Sequence, residues 1–236
     1  QGFVMDMALS QEERRAGFGL MCMAKPISDE LSIEWGSSDA KPQLFPPQKD
    51  MPFVLTDRIQ RTPSILEMHL RPLGSPMRFW PGQYVTVHRP GAARPRAYSL
   101  ACAPRHDGEI ILQVTRQEMG ETSPWLHGEV RTGDVVSVSG PYGTFVGDPS
   151  VETPVLCLAA GSGLAPILSL TEAALRRGYS APVTLMFSSR GKDDLYCGGL
   201  IDFWRVRYRN FHFLPTLTRE QQEGIEHGRI PDILAR

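Results

Sequence analysis

Three short runs in this sequence combine residue types that bind anions or flat rings. The first is Gly161-Ser-Gly163-Leu-Ala-Pro166. Two glycines one residue apart, between an apolar strand and a helix, let backbone N–H groups approach a pyrophosphate at the positive end of the helix. A third glycine would complete the pattern where Pro166 stands, and near a helix start a proline's missing N–H does no harm. Such turns also occur without any ligand, so this run alone only permits nucleotide binding. The second run is Arg96-Ala97-Tyr98-Ser99. Its guanidinium offers a fork to phosphate, its phenol a flat face for stacking, and its serine a small hydroxyl donor. The plainer use is an ordinary strand with a solvated arginine and a tyrosine in the core. The third run, Gly120-Glu-Thr122-Ser123 before Trp125-Leu126, puts free N–H groups and a hydroxyl at a helix start. That makes either an anion site or a simple cap.

The elements that must position these runs follow from periodicity and turn chemistry. Residues 1–35 read as a short separate piece: Ser10 with Glu13 makes a capping box, Gly17 and Gly19 stop that helix, and Leu31–Trp35 alternates as a strand. Residues 36–52, rich in Gly, Ser and Pro, read as a linker. Residues 53–149 carry short strands at Ile65–Leu70, Gln83–His88, Ile110–Thr115 and Val135–Val138, with Gly140-Pro-Tyr-Gly143 as a tight turn. Strands so spaced, without long helices, predict an antiparallel barrel. A short helix is expected with Ser123 as its cap and Pro124 as its first residue. From residue 150 to 236 the rhythm changes. Val155–Ala159 is a continuous apolar run, expected to be a buried parallel strand, and Val183–Phe187 is expected to be a second. With the glycine turn, a helix after it, a second helix over Leu195–Tyr208 and a third strand at Phe211–Leu214, they form a nucleotide-binding α/β unit.

Charge excludes one class of partner. Lys and Arg number 25 against 26 Asp and Glu, so nothing favours a nucleic-acid backbone. No apolar run approaches the roughly 20 residues needed to span a bilayer, and no membrane partner is expected. Cys22, Cys102, Cys157 and Cys197 form no C-x-x-C pair, and the six histidines show no metal-ligand spacing. Reduced thiols in a cytoplasmic protein are the expectation.

Order adds what single motifs lack. Pro81-Gly82-Gln83-Tyr84-Val85, Arg96-x-Tyr98-Ser99, Gly120-x-x-Ser123, Gly140-Pro141-x-Gly143 and Gly161-x-Gly163-x-x-Pro166 succeed one another along one chain. From Phe53 onward it resembles the ferredoxin–NADP reductase family, specifically the reductase components of bacterial multicomponent oxygenases. The resemblance implies a six-stranded Greek-key flavin barrel followed by a parallel-sheet nucleotide domain. It implies that Arg96 contacts flavin phosphate, that Tyr98 lies against the isoalloxazine ring, and that Ser99 donates a hydrogen bond near N5. Tyr98 and Ser99 are thus the residues nearest the chemistry. Ala97, Gln113 and Thr115 join the same flavin site, and Gly120, Thr122 and Ser123 hold the pyrophosphate. Gly161, Gly163 and Pro166 form the nicotinamide-nucleotide turn, while Ser189, Arg190, Asp194 and Tyr196 lie by the adenosine half.

The N-terminal piece extends the likeness. Ala8-Leu9-Ser10-x-Glu12-Glu13, Gly17-x-Gly19-Leu20-Met21-Cys22 and Pro26-x-Ser28-Asp29 look like the end of a plant-type [2Fe–2S] ferredoxin, a β-grasp domain. Cys22 falls where the last cluster cysteine belongs; the earlier three do not occur in this sequence. The family also continues past Gly228–Ile233 into a Cys-Gly-Pro segment, so further chain is expected at both ends.

The resemblance implies NADH and FAD as cofactors, a [2Fe–2S] centre in the intact protein, and a terminal oxygenase or separate ferredoxin as acceptor. Three alternatives stay open: a same-family reductase of another acceptor, sugar-modifying or quinone-linked, a flavin electron-transfer subunit without nucleotide chemistry, and a non-enzymatic ferredoxin-like binding module. The nucleotide loop opposes the second and third. Local chemistry pulls against NADH at one point. An arginine at the end of the second strand accommodates a 2′-phosphate, and Arg190 stands there with no acid before Asp193. The oxygenase reductases carry an arginine at this position and use NADH, which sets the expectation here.

Overall fold

The computed structural model describes residues 42–148 and 152–235, together with Arg15. The chain divides into two compact units, Gln1–Ala40 and Lys41–Arg236. Cys22 and the elements expected over residues 1–35 lie outside the described residues.

The second unit opens with six antiparallel strands: β1 Gln48–Thr62, β2 Ile65–Pro72, β3 Tyr84–His88, β4 Arg96–Ser99, β5 Ile110–Thr115 and β6 Val135–Tyr142. They lie in the order β4-β3-β6-β1-β2-β5. Just past β4, Leu100 bridges Leu112 of β5 and the Ala101 N–H donates to the Ile111 carbonyl at 2.8 Å, joining the two outer strands. The sheet thereby closes on itself as the predicted Greek-key barrel. Period-two alternation fills it: Leu66, Met68 and Leu70 from β2, Val85 and Val87 from β3, and Leu112 and Val114 from β5 are almost wholly buried. Gly82, in the turn that launches β3, has φ of 91°, and a Cβ there would sit 1.9 Å from the Phe145 carbonyl oxygen. Only glycine fits that position.

Three local expectations need correction. The stretch read as linker is anchored well before residue 53. Phe45 stacks on Trp80 at 5.8 Å, Arg78 lies 4.3 Å from the Phe45 ring centre, and the Trp80 indole donates to the Gln43 carbonyl at 2.9 Å. β1 then pairs with β6 from Gln48, with a bulge at Asp50, whose φ is 52° and whose N–H donates to the Ser139 hydroxyl. One aromatic ring and one bulge hold a segment whose composition suggested looseness. The expected turn Gly140–Gly143 is instead largely strand, because β6 runs through Tyr142 to pair with β1 and β3. Helix α1 spans Thr122–Gly128 and is preceded by Glu121, so Ser123 lies inside it and is not its cap. The Ser123 hydroxyl accepts the Gln117 N–H at 2.9 Å instead.

The rest of the unit alternates strand and helix: β7 Val155–Ala160, α2 Leu164–Arg176, β8 Val183–Ser189, α3 Gly198–Arg207, β9 Phe211–Leu217, β10 Glu226–His227 and α4 Ile230–Leu234. The sheet is parallel, in the order β10-β9-β8-β7. Successive strands step in one direction, and right-handed crossovers then put α2 and α3 on the same face. Cys157, Ala159, Leu185, Phe187 and Phe211 meet Leu164, Leu168, Ile201 and Trp204 there. The expectation that β7 is buried on both sides fails for the same reason. It is an edge strand, and Leu156 and Leu158 on its other face are 48% and 43% exposed. α3 starts later than expected because Leu195 is extended and Cys197 takes a left-handed conformation with φ of 63°.

The barrel meets the parallel-sheet part along the outward faces of β2 and β5. Glu67, pointing outward from β2, is 4% exposed. Its carboxylate accepts from Arg61 at 2.6 Å, His69 at 3.1 Å and Gln113 at 3.1 Å. His69 also meets Glu109, which Arg105 holds at 2.6 Å. Burial pushes the Glu67 carboxyl up, but the bonds from His69, Arg61 and Gln113 outweigh it and hold the group at about 2. The bond to Glu67 raises His69 above its ordinary 6.5, against the opposing effect of burial.

The signs fix a stability window. The Glu67 contribution is complete above the unfolded value of 4.5 and lost as pH falls toward 2. The His69 contribution is complete below 6.5 and lost as pH rises through its raised value. Thermal unfolding against pH should therefore show the highest Tm between 4.5 and 6.5. His69→Gln should flatten the alkaline limb and, because Glu67 loses the His69 bond, move the acid limb toward higher pH; a variant whose alkaline limb matches the parent would overturn this.

Candidate functional site

Two of the cavities along the junction gather the expected residues. The first, of about 310 Å³, has Arg96, Ala97, Tyr98 and Ser99 of β4 on one side and Gln113 and Thr115 of β5 on another. Gly120, Thr122 and Ser123 complete the barrel wall, and Ser162 and Ala165 close it from the parallel-sheet part. Every residue expected at the flavin site is thus brought together in one wall. β4 can present all four of its residues because it sits at the end of the strand order, covered on one flank by β3 alone. Arg96 makes no ion pair among the described residues and is exposed.

The polar groups lining this cavity favour an acceptor-rich ligand. The hydroxyls of Thr115 and Thr122 are buried without a hydrogen-bond partner. A buried hydroxyl left unsatisfied costs about 1–3 kcal/mol, so a ligand acceptor that reached either of these two lining residues' hydroxyls would gain by it. Ser123 already accepts the Gln117 N–H and keeps its own proton to donate. Burial pushes the Tyr98 phenol up to about 12 despite the nearby Arg96 charge, so this ring is neutral at ordinary pH. One cation, two unpartnered hydroxyls and a neutral flat ring suit a phosphate-bearing aromatic group such as a flavin nucleotide.

The second cavity, of about 270 Å³, opens at the carboxyl ends of β7 and β8, where ligands bind in parallel α/β sheets. Gly161, Ser162, Ser189, Arg190 and Asp194 line it from the sheet, and Ser64, Ile65 and Thr115 face them from the barrel. The glycine turn is a single 3-10 turn, with Gly161 at φ of 51°. Pro166 is the third residue of α2, where its missing N–H removes no helix bond. Arg190 is not free: its Nε lies 3.4 Å from Asp194 Oδ2, and its side chain is 62% exposed. Thr115 and Ser162 line both cavities, which therefore adjoin.

Some expected residues stand back from these walls. Gly163 and Pro166 line neither cavity; they shape the turn. Tyr196 lines neither, is 4% exposed and packs edge-on against Phe187 at 5.5 Å. Its hydroxyl reaches the Gly161 carbonyl at 3.0 Å and Gln113 Oε1 at 3.2 Å, and burial lifts its phenol well above the usual range. Other wall residues escaped the sequence reading. Ser162 was legible as the hydroxyl between two glycines. Thr218, bonded to the Ser189 carbonyl after β9, and Ser64, in the β1–β2 turn, carried no motif. Cys102, Cys157 and Cys197 are buried free thiols; burial pushes Cys102 and Cys197 up to about 12 and raises Cys157. Among the described residues no group of three or more His, Cys, Asp or Glu could hold a metal. No described helix is long and apolar enough to cross a membrane.

Comparison with known proteins agrees with this geometry. Residues 52–146 match the oxidoreductase FAD-binding domain and residues 157–236 the oxidoreductase NAD-binding domain. The chain is 34% identical over 218 residues to the reductase component of phenol 2-monooxygenase from Pseudomonas sp. (strain CF600), covering 92% of this chain and 60% of that relative. A ferredoxin–NAD(P)+ reductase component of naphthalene 1,2-dioxygenase/salicylate 5-hydroxylase systems from Ralstonia sp. is 30% identical, covering 100% of this chain and 71% of that relative. Among solved structures, an Amycolatopsis cytochrome P450 reductase superposes with a TM-score of 0.77 at 28% identity, over 99% of this chain and 70% of that one. The barrel, the parallel sheet and their adjoining cavities place this chain in the family of FAD- and NAD-binding oxidoreductases that includes the reductase components of multicomponent oxygenases.

Proposed function

We propose that the protein passes electrons from NADH through FAD to a [2Fe–2S] centre and on to a terminal oxygenase or its separate ferredoxin, in the cytoplasm. The observation that carries this reading is the adjoining pair of cavities, which share Thr115 and Ser162. When bound, the flavin supplies the conversion of an electron pair into single electrons, which no amino-acid side chain provides. The side chains bind and orient. Arg96 pairs with flavin phosphate, and Gly120, Thr122 and Ser123 hold the pyrophosphate through backbone and hydroxyl donors. Tyr98 offers its neutral face to the ring, Ser99 donates near N5, and Gln113 and Thr115 line the side toward the nucleotide. Gly161 and Ser162 receive the nucleotide's pyrophosphate, with Ser189, Arg190 and Asp194 beside the adenosine. The names of the phenol and naphthalene relatives support an oxygenase as the final acceptor.

NADH is favoured over NADPH by the Arg190–Asp194 contact. A 2′-phosphate drawn to that guanidinium would meet the Asp194 carboxylate beside it, and like charges that close repel. Cys22 takes the last thiolate position of a plant-type [2Fe–2S] set, and the intact protein supplies the other three.

Three measurements test these assignments. Arg96→Ala should weaken FAD binding by about 10- to 150-fold, the equivalent of a lost charge-assisted phosphate contact, in a reconstitution titration. A wild-type protein that takes up no FAD would sink the whole reading. Steady-state kcat/KM with ferricyanide as acceptor should favour NADH, and Asp194→Asn should narrow the margin. An NADPH preference of about tenfold or more that is lost in Arg190→Ala would reverse the nucleotide assignment. In the full-length protein, Cys22→Ser should abolish the cluster's absorbance and about two irons per chain while leaving flavin content intact; an unaltered cluster would make Cys22 an ordinary thiol.

A further inference from the structure

We propose that Tyr196, Gln113 and Glu67 form a hydrogen-bonded tie that sets the width of the nucleotide cavity. The proposal rests on the reading above, in that the cavity is taken to receive the nucleotide. Its walls belong to different sheets: Ser64, Ile65 and Thr115 come from the barrel, and Gly161, Ser162 and Ser189 from the parallel sheet. Neither fold fixes the gap between them; docking of one on the other does.

Apolar packing at such a seam resists separation but tolerates sliding, because it has no preferred direction. Hydrogen bonds are directional and resist sliding as well. Elsewhere along the seam the Ser169 hydroxyl donates to the Cys102 carbonyl at 2.6 Å and the Ala103 N–H to Glu172 at 2.7 Å. The Tyr196 hydroxyl differs in reaching a residue of the cavity wall. It lies 3.0 Å from the carbonyl of Gly161, in the glycine turn, and 3.2 Å from Gln113 Oε1, on β5. One proton shared between those two oxygens links the turn to the barrel strand.

The link requires Gln113 to present its oxygen, since an amide could as well turn its NH2 toward the tyrosine. Glu67 decides the matter. Its Oε2 accepts from Gln113 Nε2 at 3.1 Å, and a carboxylate there excludes the flipped amide, which would set oxygen against oxygen. Arg61 at 2.6 Å and His69 at 3.1 Å keep Glu67 an anion. Glu67 touches neither cavity of the site. It acts through Gln113 and through the Cys197 thiol, which donates to Glu67 Oε2 at 3.9 Å beside Tyr196 and lies 3.3 Å from Gln113 Nε2. Tyr196, Gln113 and Glu67 are positioning residues.

Two readouts test the tie, one of them free of any ligand. Hydrogen–deuterium exchange over residues 160–165 of the unliganded protein should be about 3- to 10-fold faster in Tyr196→Phe, the range of one lost net hydrogen bond. With FAD loaded, the same variant should bind NAD+ about 3- to 10-fold more weakly at unchanged FAD content. Glu67→Gln should weaken NAD+ binding in the parent background and have a smaller effect once Gln113→Met has removed the amide, leaving only the Cys197 contact. Parental exchange rates in Tyr196→Phe, or loss of FAD along with NAD+ affinity, would overturn the tie. Glu67→Gln effects of equal size in both backgrounds would remove Glu67 from it. A parent protein that binds no NAD+ would instead refute the functional reading, and the exchange rates would still decide the tie.

Discussion

Until β2 reaches its partly exposed end at His69 and Arg71, strands β2 and β5 have little solvent face, and the architecture of the site follows from that. Leu66, Met68, Leu112 and Val114 point into the barrel, while Ile65, Glu67, Gln113 and Thr115 point out. In an isolated barrel the outer set would be wet. Here the parallel-sheet part covers them, and Ile65 packs in the core of that part rather than in the barrel's own. A one-residue slip of either strand would exchange the two sets, moving the cavity-lining groups inward and leucines into the seam. The register that builds the barrel core is therefore the same register that builds the site.

That arrangement explains why charge is concentrated where water is scarce. A lone carboxylate moved out of water costs several kcal/mol, and Glu67 escapes the cost only because three donors converge on it. Replacing the cluster by hydrocarbon would pack as well or better, as buried ion pairs elsewhere show. What hydrocarbon would lack is orientation. The seam thus trades some stability for a defined relation between two sheets that fold around separate cores.

The sequence was most informative where local chemistry dictates local form. The glycine turn, the Arg96–Ser99 strand and the period-two strands of the barrel could be read because each depends on neighbours within a few residues. Where form depends on distant partners, the reading failed. Val155–Ala160 is apolar enough for a doubly covered strand, yet strand order decides whether a second layer lies over it, and periodicity carries no strand order. Ser123 looked like a helix cap because its type prefers that role, but the Gln117 N–H competes for the same oxygen. The outward alternation of Glu67 and His69 between core residues was visible as a pattern; that another layer would bury them was not. Tyr196 was placed near the nucleotide by resemblance, and only its two oxygen partners reveal that it stands behind the wall.

The unpartnered hydroxyls of Thr115 and Thr122 reach beyond the site itself. Each is a standing penalty of about 1–3 kcal/mol in the folded chain, a sizeable fraction of the 5–15 kcal/mol that separates typical folded and unfolded states. A ligand that accepts from them binds the folded state alone and shifts the folding equilibrium by mass action, by about 2.7 kcal/mol at a hundredfold excess over its Kd. Cofactor supply and folding are then two sides of one equilibrium. The fraction of chain that survives surveillance by proteases rises and falls with the concentration of the molecule it needs to work.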